Sequence, residues 1–105
     1  LNYEGSISID TELVKLAGMH RYEKVDIYNI NNGARFSTYI IPGKKGEFCL
    51  NGAAARCAQP GDTVIIMAYA VFTQEEARDY EPIVVMADEK NGIKEIRGRE
   101  SHGEM

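Results

Sequence analysis

Ile7 and Ile9 alternate with Ser8 and Asp10, the period-two pattern of a short strand. A brief helix is expected next, capped by Asp10 or Thr11, with Leu13, Val14 and Leu16 on its apolar side. It runs through Ala17 and stops at Gly18, which takes the left-handed conformation without penalty. Val25–Asn31 and Ala34–Ile41 read as two strands around Asn32-Gly33, a strong signal for a two-residue hairpin turn. Pro42-Gly43 and Gly46 are expected to end the second strand in a loop, and Glu47–Leu50 forms a further strand. Asn51-Gly52-Ala53-Ala54-Ala55 opens a tight turn or a single helical turn, and Pro60-Gly61-Asp62 is another turn. Thr63–Phe72 is apolar at nearly every position, which predicts a strand buried on both faces. Thr73-Gln74-Glu75-Glu76 has the form of a capping box and starts a short helix that ends before Pro82. Ile83–Ala87 and Ile93–Arg97 flank a second Asn-Gly turn at Asn91-Gly92, and Gly98–Met105 is expected to fray.

Six or seven short strands and two or three short helices make a mainly β chain. A small chain so rich in strands favours a closed barrel over an open sheet, because closure removes reactive edges. The length of 105 residues fits a single domain spanning 1–105. No repeat or linker interrupts it. No apolar run approaches the roughly 20 residues that span a bilayer, so no membrane partner is expected. Twelve basic and sixteen acidic residues give a net charge of −4, which argues against a general nucleic-acid binder. No basic, apolar leader opens the sequence.

Cys49 and Cys57 read as reduced thiols in a cytoplasmic setting. Their spacing matches no zinc pattern, and His20 and His102 stand far from them, so no metal is expected. There is no phosphate-binding glycine loop and no nucleophile elbow.

Three segments carry a more specific signal: Leu1-Asn2-Tyr3-Glu4-Gly5-Ser6, Asn32-Gly33-Ala34-Arg35-Phe36-Ser37-Thr38-Tyr39 and Asn51-Gly52-Ala53-Ala54-Ala55. Pro60-Gly61-Asp62 before an apolar strand and Glu75-Glu76-Ala77-Arg78 before a proline add to it. In this order and spacing the chain resembles the pyruvoyl-dependent aspartate 1-decarboxylases. The resemblance implies a double-psi β-barrel, assembled as a homotetramer with sites between subunits. It implies decarboxylation of L-aspartate to β-alanine, which feeds pantothenate and coenzyme A synthesis in the cytoplasm. It also implies a precursor that cuts itself at Gly5-Ser6, leaving a covalent pyruvoyl cofactor derived from Ser6 and needing no metal. The chemistry suits the residue types: the Ser6 hydroxyl converts the Gly5 amide to an ester, elimination gives dehydroalanine, and hydrolysis leaves the ketone and ammonia. That ketone forms a Schiff base with the substrate amine and accepts electrons as carbon dioxide leaves.

By the same resemblance Tyr39 is the proton donor and Thr38 serves both self-cleavage and substrate contact. Arg35 holds a substrate carboxylate. Gly52, Ala53 and Ala54 line the substrate with backbone, and Asn51 orients that turn. Read singly, each is an ordinary strand or turn residue, and simple alternation puts Thr38 and Tyr39 on opposite faces. A bulge, or a site shared between subunits, would reconcile them. The family has a longer segment before its Gly-Ser bond, with a first strand and a substrate-binding lysine. Only five residues precede Ser6 here, none basic, so that strand is expected to be missing. A non-enzymatic barrel subunit or binding module that does not cut itself remains an alternative, as does a hydrolase using Ser6 directly. Whether a maturation helper is needed stays open.

Overall fold

The structure is a computed structural model that describes residues 5–98. Leu1–Glu4, His102 and the tail from residue 99, where fraying was expected, lie outside the described residues.

Strand β1 (Ser6–Asp10) leads directly into helix α1 (Thr11–Leu16). Asp10 is the helix cap, its Oδ1 accepting from Glu12 N at 2.9 Å, while Oδ2 accepts from Gly46 N at 2.8 Å. One buried carboxylate therefore ends a strand, starts a helix and ties down the loop before the fourth strand. Strands β2 (Lys24–Asn29), β3 (Arg35–Gly43), β4 (Phe48–Asn51) and β5 (Val64–Met67) complete a five-stranded sheet in the order β4-β1-β3-β2-β5. A 3₁₀-helix (Gly52–Cys57) follows β4 without a break. Helix α2 (Gln74–Arg78) begins with the expected capping box, Thr73 and Glu76 each bonding the other's backbone N–H. Strands β6 (Val84–Ala87) and β7 (Ile93–Arg97) pair separately. The described chain is thus mainly β with a few short helices; the pairing among the described residues does not include closure of the sheet.

The core forms where β1, β2 and β3 turn alternate residues inward. Ile7, Ile9, Val25, Ile27 and Ile40 are buried there with Leu13 and Val14 of α1. Each such aliphatic side chain contributes about 2 kcal/mol through removal from water. β1 has neighbours on both edges: it pairs parallel with β3 (Ile7 opposite Ile40) and antiparallel with β4 (Ser6 opposite Asn51).

The structure corrects three local expectations. β3 continues through Pro42 to Gly43, because β2 pairs with it only as far as Tyr39, so the missing Pro42 N–H faces an edge with no strand partner. Asn32-Gly33 does not form a two-residue turn. Tyr28 pairs with Arg35, the loop between them is longer, and only Gly33 has positive φ; Asn29 and Asn32 side chains bond the backbone instead. The Thr63–Phe72 run is a strand only over Val64–Met67, and Ile65, Tyr69 and Val71 are exposed. β5 ends the sheet, with β2 as its one strand neighbour; beyond it Ala68 packs on the core and Phe72 meets the Tyr80 ring at 4.4 Å, while Tyr69 and Val71 face outward.

The Asp10 carboxyl is held below its ordinary value, chiefly by the Gly46 N–H. Its stabilisation is therefore complete above the ordinary aspartate value of 3.8 and is lost as pH falls through the lower folded value. Asp10→Ala is expected to lower the melting temperature by several degrees at pH 7, with the gap to wild type narrowing below pH 3 in thermal melts.

Candidate active site

Gly5 has φ of +126° and lies against the turn that follows β4. A Cβ at this position would overlap the Asn51 carbonyl oxygen and approach Ala54 N to 3.2 Å. Only glycine fits, for reasons of both backbone conformation and space. The Gly5-Ser6 bond is thus pressed against the start of the 3₁₀-helix, where Gly52 and Ala53 are exposed and Ala54 is buried.

The Ser6 hydroxyl is half-buried and accepts from Asn51 Nδ2 at 3.0 Å. The same nitrogen donates to Ser8 Oγ at 3.1 Å, and the Cys49 thiol lies 3.6 Å from Asn51 Oδ1. These four side chains share one face of the β1–β4 ladder, since Ser6 pairs with Asn51 and Ser8 with Cys49. Asn51 was expected only to orient its turn; its carboxamide also reaches Ser6. Ser8 and Cys49 were not expected here, although the two-residue period from Ser6 and from Asn51 would have placed them on this face.

Thr38 and Tyr39 lie on opposite faces of an unbroken β3: the pairing from Lys24–Tyr39 to Tyr28–Arg35 contains no bulge. The parallel pairing of β3 with β1 begins at Ile7–Ile40, so Thr38 and Tyr39 lead into it on one strand as Gly5 and Ser6 do on the other. Thr38 is 1% exposed, and its Oγ1 is buried without a hydrogen-bond partner among the described residues. Buried hydroxyls are ordinarily paired, so this one stands out within the sheet.

Arg35 stands apart. It begins β3, four residues or about 13 Å along the strand from Tyr39, with its guanidinium 4.6 Å from the centre of the Tyr28 ring. Within one chain the structure does not bring Arg35 to Ser6. Cys49 and Cys57 are free thiols, and Cys49 is exposed. Among the described residues, no group of His, Cys, Asp or Glu is arranged to hold a metal, and no helix is long and apolar enough to cross a membrane.

The sequence model of the family described as aspartate decarboxylase matches residues 1–94. The aspartate 1-decarboxylase of Bdellovibrio bacteriovorus is 59% identical over 97 residues, covering 92% of this chain and 78% of the relative. That of Clostridium beijerinckii is 58% identical over 104 residues, covering 97% and 84%. That of a Hydrogenobaculum species is 55% identical over 102 residues, covering 97% and 82%. With identities of this size across nearly its whole length, the chain belongs to the aspartate decarboxylase family.

Proposed function

We propose that this chain is an aspartate 1-decarboxylase that cuts itself between Gly5 and Ser6 and converts L-aspartate to β-alanine and carbon dioxide, supplying pantothenate and coenzyme A synthesis. The observation that carries this reading is the setting of the Gly5-Ser6 bond: a glycine that admits no side chain, a serine hydroxyl held by Asn51, and an unpaired Thr38 hydroxyl on the neighbouring strand. The names of the relatives point the same way.

Self-cleavage follows from these groups. Ser6 Oγ adds to the Gly5 carbonyl carbon. Thr38 Oγ1, on the strand that pairs with β1, donates to the oxygen that becomes negative. The C–N bond then breaks and the serine proton ends on the freed nitrogen, giving an ester. Loss of the Ser6 α-proton expels the Gly5 carboxylate together with the former Oγ. Water then replaces ammonia at position 6, leaving a pyruvoyl group.

The residues present fit that group: the precursor serine follows a glycine that admits no Cβ, and Asn51 Nδ2 already donates to the side chain at position 6. A pyruvoyl carbonyl supplies the electron sink for loss of carbon dioxide. The chain's own residues do the rest. The Tyr39 phenol, on the Ser6 face, delivers a proton to the carbon that has lost carbon dioxide. The backbone of Gly52, Ala53 and Ala54 lines the substrate, with Asn51 orienting that turn; small side chains let the amides approach a carboxylate. Arg35 binds a carboxylate through its planar fork.

Arg35 does this from a neighbouring copy, because on its own chain it lies about 13 Å of strand away from Tyr39. Exposed Tyr69 and Val71 next to β5 support assembly, and the reading carries with it a homotetramer of single-domain, closed double-psi barrels. Parallel and antiparallel partners on the two edges of β1 suit that barrel. The free thiols suit a cytoplasmic setting. Direct hydrolysis by Ser6 is not favoured, since its bonded partner among the described residues is an amide, Asn51, and not a base.

An intact-mass spectrum under denaturing conditions tests the reading. The expected product is a fragment beginning at position 6, lighter than its serine form by one ammonia; Ser6→Ala should stay whole and inactive. A wild-type chain that remains uncut would overturn the proposal. Thr38→Val removes a hydroxyl that has no partner, so its melting temperature should equal or exceed that of wild type. Its self-cleavage should nevertheless slow roughly a hundredfold, as loss of an oxyanion donor does, measured by the time course of the uncut mass. Arg35→Ala should cut itself normally yet raise KM for aspartate about tenfold or more, and steady-state kinetics on the fully cut protein would show it.

A further inference from the structure

Asn51 has two amide hydrogens and two acceptors for them, Ser6 Oγ and Ser8 Oγ, at 3.0 and 3.1 Å. In the self-cleavage set out above, on which this inference rests, Ser6 Oγ leaves with the Gly5 carboxylate. Position 6 then no longer carries the oxygen that Asn51 held. Ser8 is untouched by that chemistry. It is 8% exposed, sits two residues along the same strand and faces the same side. The Cys49 thiol, 3.6 Å from Oδ1, holds the other end of the carboxamide and is also unchanged by cleavage.

We infer that Ser8 is a positioning residue of the mature protein: its hydroxyl keeps the Asn51 carboxamide aimed at position 6 after the Ser6 hydroxyl has been spent. Before cleavage the two serines share the task, so Ser8 is dispensable. After cleavage one amide hydrogen of Asn51 stays anchored on Ser8, and the one released by Ser6 is left directed at the group formed there. Loss of the Ser8 hydroxyl then leaves the Asn51 carboxamide held only by the weak Cys49 thiol contact, and the turn it orients, Gly52–Ala54, loosens with it. A hydroxyl with a role only in structure would matter equally in both forms.

The test compares wild type, Ser8→Ala and Ser8→Thr as full chains. Cleavage is followed by intact mass. Backbone hydrogen exchange over residues 48–54 is measured on protein taken before cleavage and after it is complete. Ser8→Ala should cut itself within about twofold of the wild-type rate and match wild-type exchange before cleavage. After cleavage its exchange over this segment should rise about three- to tenfold, the size of effect expected from one hydrogen bond. Its kcat/KM should fall by a similar factor, and Ser8→Thr, which keeps the hydroxyl, should restore both. Faster exchange in the uncut form as well would make Ser8 merely structural and overturn the inference. So would unchanged exchange in the cut form. A wild-type chain that never cuts removes the proposed function itself, an outcome separate from a wild type that cuts beside an unaffected Ser8→Ala.

Discussion

Strand β1 is gripped on both edges, and the placement of every candidate residue near the Gly5-Ser6 bond follows from that grip. Its parallel partner β3, paired with it from Ile7–Ile40 onward, carries Thr38 and Tyr39 just ahead of that pairing. Its antiparallel partner β4 delivers Asn51 opposite Ser6 and brings the backbone of the next turn hard against Gly5. The grip is itself a product of the core. Ile7 and Ile9 face inward with Ile40, and a slip of one residue would turn both isoleucines outward and carry Ser6 away from Asn51. Burial and site geometry are therefore fixed by the same register.

Much of this was legible in the chain, and the exceptions have physical causes. Alternation gave β1, and the Asp10 cap gave α1, because both depend on neighbours in sequence. The Thr73–Glu76 box was legible for the same reason. The Asn32-Gly33 loop departs from a two-residue turn because Asn29 and Asn32 make side-chain bonds to the backbone that stabilise a longer loop. Pro42 stays within its strand because whether a strand tolerates proline depends on what lies beside it, which is a tertiary fact. The apolar run to Phe72 overstated burial, since hydrophobicity says that a segment needs cover without saying which chain supplies it.

At the site, the motif residues pointed to Ser6, Thr38 and Tyr39, but their faces could not be reconciled by local alternation. What the structure adds is a parallel pairing between segments more than thirty residues apart, which sets the strand that carries both beside β1. Ser8 and Cys49 escaped notice because their role exists only through Asn51, which reaches across a strand pair to meet them.

The distance along β3 between Arg35 and Tyr39 has a kinetic consequence under the proposed function. The groups set around the Gly5-Ser6 bond all belong to one chain, so maturation is first order and indifferent to dilution. Capture of substrate draws on a second chain and scales with how many have assembled. Maturation and competence are then separate clocks: a dilute, freshly made population can finish the first while still waiting on the second.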